Sequence, residues 1–178
     1  MPIASGSLYT KIAKGFQELI DVGLIDGEVP TMNGAQANGC SPVATAFRDG
    51  KDFCRPVKPS TIAKSLAIGN PADGPYALDL ARATGGGIDM VSDDEIRAGI
   101  RLLAETTGIF TETAGGVTTA VLHKLAEAGA IGSDERVVIV ITGEGLKTLD
   151  AVRDSFTAYE VDPTIESFED AFAEPVHL

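Results

Sequence analysis

Apolar residues recur with helical spacing near the start of the chain. Within residues 7–24, they stand four positions apart at Leu8, Ile12 and Phe16. This spacing predicts an amphipathic helix. Ser5 or Ser7 is its expected N-cap, and Gly23 marks its expected end. The segment begins so early that the strand expected before this helix is either missing or reduced to residues 2–3.

Other segments have the composition of strands. Residues 137–141 form a continuous run of β-branched aliphatic residues, which is typical of a strand buried on both faces of a parallel sheet. Shorter strands are expected at residues 30–36, 88–91 and 108–112, with an edge strand at Thr164 and Ile165.

Helical patterns fall between these strands. A capping box, with Ser92 at the N-cap and Glu95 three residues later, precedes apolar positions that share one helix face. Further helices are expected at residues 42–47, 60–67, 75–84, from Gly115 and Gly116 down to Gly129, and at residues 167–173 capped by Ser167. Alternating strands and helices predict an α/β fold, a three-layer arrangement with a parallel or mostly parallel sheet and flanking helices. We take residues 1–178 as a single domain.

The composition limits the classes of partner. The chain of 178 residues has 14 Lys and Arg against 26 Asp and Glu, a formal net charge of −12. Because no basic patch is visible, we expect neither nucleic-acid nor membrane binding. The first residues resemble no export signal, so we expect a cytoplasmic protein whose cysteines, Cys40 and Cys54, stay reduced. His123 and His177 lie too far from both cysteines to suggest a metal site.

Three loops are candidates for ligand binding, because parallel sheets bind ligands beyond the carboxyl ends of their strands. The first loop, residues 4–7, offers backbone N–H groups and two hydroxyls at the start of a helix. These groups could bind a phosphate, or a serine here could be an ordinary N-cap. The second loop begins with Thr142, directly after the 137–141 run. Two interpretations of Thr142 are open: contact with a ligand, or capping of a turn. The third, residues 68–74, forms a wall beside a flat ligand or a plain turn. No Ser-His-Asp triad, Walker A motif or dinucleotide fingerprint matches the sequence.

Five motifs together resemble one known family. They are residues 5–16, 39–42, 59–63, 68–71 and 141–147. In this order and spacing they are similar to the C-terminal part of threonine synthase, a member of the β-family (fold type II) of pyridoxal-phosphate enzymes. The resemblance extends from residue 2 to about residue 172.

The resemblance implies a cofactor site for pyridoxal 5′-phosphate. The cofactor's phosphate would be held by Ala4, Ser5, Gly6, Ser7 and Leu8. Thr142 matches the residue whose hydroxyl bonds the pyridine nitrogen; a neutral hydroxyl holds no proton there and leaves the ring a weaker electron sink. Gly69 and Asn70 match the loop beside the ring. Glu112 matches a segment in which the family usually has a following proline, and this chain has Thr113 instead.

The family's cofactor-bearing lysine lies in the N-terminal half, upstream of the matched region. We therefore expect no catalytic residue in this chain. We also expect its partner to be the missing N-terminal half of the enzyme. The resemblance implies conversion of O-phosphohomoserine, a phosphorylated amino acid, and water to threonine and phosphate. Two alternatives stay open: another fold type II enzyme such as a threonine dehydratase, and a non-catalytic α/β interaction module. A sheet cut from its neighbouring strands should expose an edge or an apolar face, so we also expect a homo-oligomer.

Overall fold

The computed structural model describes residues 1–155, 157 and 159–172. The described residues form an α/β fold, which confirms the predicted class. The elements in chain order are α1 (Ser7–Asp21), β1 (Gly34–Ala37), α2 (Pro42–Arg48), α3 (Gly74–Ala83), β2 (Ile88–Val91), α4 (Asp93–Thr107), α5 (Thr113–Glu127) and α6 (Ile165–Ala171). Short 3₁₀ helices lie at Lys64–Leu66, Gly145–Ala151 and Arg153–Ser155.

The sheet is small and parallel. β1 pairs with β2 from Gly34 opposite Ile88 to Ala37 opposite Val91. The expected strand at residues 2–3 is present as a single parallel bridge between Pro2 and β1. Hydrogen bonds from the Ile3 N–H to the Ala35 carbonyl (2.9 Å) and from the Ala35 N–H to the Met1 carbonyl (2.8 Å) hold it there.

Helices cover both faces of this sheet, which gives three layers. Successive strand residues point to opposite faces, and each face has its own apolar cluster. Ala35, Ala37 and Val91 pack with apolar residues of α4 and α5. On the other face, Ile3 and Ile88 pack with α1, α2 and α3.

Gln36 joins three elements from a fully buried position. Its Oε1 accepts hydrogen bonds from the N–H groups of Val43 and Ala44, both at 2.9 Å, at the start of α2. Its Nε2 donates to the Ile3 carbonyl at 3.3 Å. The side chain therefore caps α2 and fixes the segment that leads into α1.

Helices α4 and α5 cross at glycines. A Cβ added to Gly99 would lie 2.5 Å from the Gly116 carbonyl oxygen, and one added to Gly116 would lie 2.6 Å from the Ile96 carbonyl oxygen. The two backbones are thus close enough that only glycine fits. The predicted capping box of α4 is confirmed: the Glu95 N–H donates to Ser92 Oγ at 3.2 Å, and the Ser92 N–H donates to Glu95 Oε2 at 2.6 Å.

The prediction of a strand at residues 137–141 is wrong. These residues have no regular secondary structure, and Val138 is 79% exposed. A strand requires a neighbour for its N–H and C=O groups, and among the described residues none pairs with this run. Residues 108–112 are likewise not a strand but contribute one antiparallel bridge, between Thr111 and Glu144.

Several predicted element bounds also differ. Gly6, not Ser5 or Ser7, is the N-cap of α1. Only Lys64–Leu66 is helical within residues 60–67. Thr164 caps α6 instead of forming an edge strand, because its side chain accepts from the Ser167 N–H. Ala173, the expected end of that helix, and His177 lie outside the described residues.

The surface of α1 carries exposed apolar side chains. The exposed positions on the helix and the turn after it are Leu8, Phe16, Leu19, Val22, Leu24 and Ile25. We call these six residues the α1 apolar stripe. Among the described residues, no helix is both long and apolar enough to cross a bilayer, and no three His, Cys, Asp or Glu side chains gather as metal ligands would.

Candidate functional site

A cleft of about 170 Å³ lies between the N-terminal ends of α1 and α5. Two of the three candidate loops meet in it. Its lining residues are Pro2, Ala4, Ser5, Gly6, Ser7, Leu8, Ser65, Leu66, Glu112, Ala114 and Thr142. We call it the α1–α5 cleft. A wider depression of about 750 Å³ runs along β2 and α2, but it contains none of the predicted site residues.

One side of the cleft is the loop of residues 4–8, which other parts of the chain hold in place. Residues 1–3 tie it to β1, and the Asp73 N–H donates to the Ser5 carbonyl at 2.9 Å. Gly6 has a φ of 99°, in the left-handed region that favours glycine, and a Cβ there would lie 2.9 Å from the Asp73 carbonyl oxygen. Glycine at this position therefore lets the loop turn sharply into α1.

The loop leaves donors free for a ligand. Among the described residues, no acceptor is found for the N–H groups of Gly6, Leu8 and Tyr9, while that of Ser7 makes only a 3.4 Å contact with Ser5 Oγ. These groups are the unsatisfied donors of a 15-residue helix, at the positive end of its dipole. The arrangement suits an anion with several acceptor oxygens.

Thr142 lies across the cleft from this loop and is held by a different part of the chain. The Glu112 N–H donates to the Gly143 carbonyl at 3.1 Å, and the Gly145 N–H donates to the Phe110 carbonyl at 3.0 Å. Thr111 Oγ1 also donates to the Gly143 carbonyl, at 3.0 Å. Residues 110–112, just before α5, therefore hold the segment that follows Thr142.

Gly69 and Asn70 do not line the cleft. Gly69 packs against the segment before it: the Val57 N–H donates to its carbonyl at 2.9 Å, and a Cβ at Gly69 would overlap the Val57 carbonyl oxygen. Asn70 is exposed. The close backbone approach accounts for glycine at position 69, and contact of either residue with a cofactor ring stays a prediction.

Glu112 is a site residue whose role the sequence alone leaves open. Its side chain is almost fully buried and lines the cleft. It is the N-cap residue of α5, yet its side chain accepts no capping hydrogen bond. The signal in the sequence was a lone acidic residue between short polar residues, which does not distinguish a surface position from a buried one.

One buried hydroxyl and two thiols lie outside the cleft lining. Tyr9 donates its hydroxyl to the Met32 carbonyl at 2.7 Å, and burial raises the pKa of this phenol. Cys40 is buried and Cys54 half-buried; both are free thiols, and burial raises the pKa of each. A raised pKa lowers the thiolate fraction and with it the reactivity.

Comparison with known proteins identifies the family. The model of the family described as "Pyridoxal-phosphate dependent enzyme" matches residues 1–143. The chain belongs to this family. The free N–H groups at the start of α1 are donors of the kind that the phosphate of such a cofactor requires.

Within this family, the chain is similar to proteins named threonine synthase. The chain is 43% identical over 152 residues to "Threonine synthase" of Methanocaldococcus jannaschii, covering 85% of this chain and 37% of the relative. It is 38% identical over 155 residues to "Threonine synthase" of Methanosarcina acetivorans, covering 86% of this chain and 38% of the relative. The chain thus spans well under half the length of these curated relatives.

Solved structures of the family share the fold. The processed form of threonine deaminase isoform 2 from Solanum lycopersicum superposes with a TM-score of 0.66, over 86% of this chain and 40% of that one, at 19% identity. Threonine synthase from Escherichia coli gives a TM-score of 0.59 over 90% and 36%, also at 19% identity. At these identities the likeness supports the fold type II architecture alone.

Proposed function

We propose that the α1–α5 cleft binds pyridoxal 5′-phosphate, with the phosphate at residues 4–8 and the pyridine nitrogen at Thr142. The observation that carries this proposal is that two loops more than 130 residues apart in the sequence line one cleft. The free N–H groups of Gly6, Leu8 and Tyr9 match the acceptor oxygens of a phosphate monoester. Each such contact is charge-assisted and therefore stronger than a neutral hydrogen bond.

Each part of the cleft has a distinct task in this proposal. The bound cofactor supplies an electron-withdrawing ring that stabilises negative charge developing on the substrate. The start of α1 binds the phosphate through N–H groups and its dipole, which a chain of net charge −12 requires because its overall field repels anions. Thr142 donates a hydrogen bond to the ring nitrogen. Pro2, Leu8 and Leu66 provide an apolar wall that excludes water.

We further propose that the whole protein is a threonine synthase-like enzyme, which converts O-phosphohomoserine and water to threonine and phosphate. The similarity to relatives of that name over about 85% of this chain supports it. The cofactor-bearing lysine would come from the part of the relatives that this chain does not span.

Three tests separate this proposal from its alternatives. Mixing the chain with an N-terminal half of a relative should restore phosphate release from O-phosphohomoserine; no gain over either half alone contradicts it. Release of ammonia from threonine without phosphate release from O-phosphohomoserine would instead favour a threonine dehydratase. If pyridoxal 5′-phosphate neither binds this chain nor raises its unfolding temperature, a non-catalytic module is favoured.

A matched pair of variants tests the ring contact. Thr142 is exposed, so substitutions there leave the fold intact. Thr142→Val removes the hydroxyl at nearly constant shape and should weaken pyridoxal 5′-phosphate binding, while Thr142→Ser retains the hydroxyl and should not. Fluorescence titration of the cofactor measures both. Equal affinities of the two variants would contradict the contact.

We also propose that the protein self-associates through the α1 apolar stripe. Six exposed apolar residues along one helix and its turn form a patch of the kind that marks interaction surfaces. Sedimentation of the chain should show a dimer or larger species, and Phe16→Glu should shift it to monomer. A monomeric wild-type chain would contradict this proposal.

A further inference from the structure

Two threonine hydroxyls hold the segment that follows Thr142. Thr111 Oγ1 donates to the Gly143 carbonyl at 3.0 Å, at the near end of this segment. Thr148 Oγ1 accepts from the Thr113 N–H at 3.1 Å, at its far end. The turn between these two contacts therefore rests against the start of α5.

The chain before Thr142 gives it no such support. Among the described residues, no hydrogen bond between backbone groups reaches residues 136–142. Val137 and Val138 in this stretch are exposed. The place of Thr142 in the cleft thus depends on contacts that the chain makes after it, at residues 143–148.

The local structure directs both hydroxyls to this task. Thr111 is 1% exposed, and it packs so closely on α5 that a Cβ added to Gly115 would overlap its Oγ1. Thr148 has φ −134° and ψ 39°, outside the helical region, and so divides the 3₁₀ segment Gly145–Ala151 at the residue whose side chain meets α5. A buried side chain and a local break in the backbone thus fix the two ends of one turn.

A third hydroxyl at the start of α5 holds nothing and provides a control. Among the described residues, Thr113 Oγ1 is the buried side-chain polar atom without a hydrogen-bond partner. The residue contributes its N–H to the contact with Thr148, and its side chain contributes no bond. Removing this hydroxyl therefore changes the same region of the core without removing either contact.

We infer that the hydroxyls of Thr111 and Thr148 position Thr142 for the ring of the ligand. The inference rests on the proposed function, which assigns Thr142 to the ring nitrogen. Neither positioning residue is among those that line the cleft, so each acts through the turn and does not touch the ligand. The loop proposed for the phosphate is held by other contacts, at residues 1–3 and Asp73. Loss of either hydroxyl should therefore weaken recognition of the ring and spare recognition of the phosphate.

Two phosphate esters that differ in the ring nitrogen test the inference on this chain. The first probe, 4′-deoxypyridoxine 5′-phosphate, has a pyridine nitrogen and no aldehyde; the second, benzyl phosphate, has the same methylene-linked phosphate and no ring nitrogen. Calorimetry gives the dissociation constant of each. Thr111→Val and Thr148→Val remove the hydroxyls at nearly constant shape and should weaken binding of the first probe by about two- to tenfold, the effect of losing one neutral hydrogen bond. Binding of benzyl phosphate should not change.

Matched variants separate positioning from stability. Thr111→Ser and Thr148→Ser keep the hydroxyls and should retain the wild-type affinity for both probes. Thr113→Val removes the unpaired hydroxyl and should also leave both affinities unchanged. In a Thr142→Val background, Thr148→Val should cause no further change in the ratio of the two dissociation constants, because the hydroxyl that it positions is already absent. A role in stability alone would weaken binding of both probes alike.

The outcomes are distinguishable from failure of the proposed function. If Thr142→Val weakens binding of the first probe but Thr111→Val and Thr148→Val do not, the inference is overturned while the proposed ring contact stands. Equal weakening of both probes, or an undiminished effect of Thr148→Val in the Thr142→Val background, overturns it as well. Should Thr111→Val not fold, Thr148→Val, at a half-buried position, decides the question. If neither probe binds wild type, or Thr142→Val changes neither affinity, the ring contact and the inference fail together.

Discussion

The left-handed turn at Gly6 offers the sharpest test of the phosphate loop. Gly6→Ala forces a β-carbon into a backbone with φ 99°, which costs about 1–2 kcal/mol for an L residue. The new Cβ also lies 2.9 Å from both the Asp73 Cβ and the Asp73 carbonyl oxygen, a contact that adds about 1–3 kcal/mol of overpacking. The expected loss in the free energy of unfolding is therefore about 2–5 kcal/mol.

Gly129→Ala is the matched control for this substitution. Gly129 has a φ of 67°, but no atom lies within 4 Å of an added Cβ, so only the backbone cost of about 1–2 kcal/mol applies. Urea unfolding followed by circular dichroism measures both variants. Pyridoxal 5′-phosphate at 100 times its dissociation constant should stabilise wild type and Gly129→Ala by about 2.7 kcal/mol. It should stabilise Gly6→Ala far less. Equal losses in the two variants, with ligand stabilisation intact in both, would refute the reasoning.

Four other substitutions test the fold. Gln36→Leu leaves two N–H groups of α2 buried without acceptors and should cost about 2–4 kcal/mol by urea unfolding; a loss under 1 kcal/mol would contradict its capping role. Gly99→Ala should destabilise by about 1–3 kcal/mol through the α4–α5 crossing, whereas Gly15→Ala, with open space around it, should stabilise by about 0.5–1 kcal/mol. Hydrogen bonds from Ser92 hold the pKa of Glu95 below its usual 4.5. That stability is present above pH 4.5 and is lost as the pH falls through the lowered value, so a pH titration of unfolding should be flatter in Ser92→Ala.

The sequence predicted those elements whose signals are local. The capping box at Ser92, the strand at residues 88–91 and the α2 helix that begins at Pro42 were all correct, because a cap, a run of glycines that ends the preceding helix and a starting proline act within a few residues. The Gly6 cap was missed because a serine lies on either side of it, and the choice depends on the contact with Asp73, 67 residues away.

Long-range pairing explains the largest error. Residues 137–141 have strong β propensity, but propensity supplies no neighbouring strand, and their exposure follows from the absence of one among the described residues. Residues 4–8 and Thr142 line one cleft, although Thr142 follows no strand in the structure, and their contact with a cofactor stays a prediction. Burial of Glu112 was not predictable, because it depends on how residues 143–145 pair with residues 110–112.

The loop of residues 4–8 lies where the two apolar clusters meet. It runs between Ile3 and Tyr9, which pack on one face of the sheet, whereas its own Ala4 packs with Ala114 on the other. The two-stranded sheet of β1 and β2 lies between the clusters. A ligand that spans the cleft joins them directly. Its binding should therefore increase the cooperativity of unfolding, so that two faces able to melt separately melt as one unit.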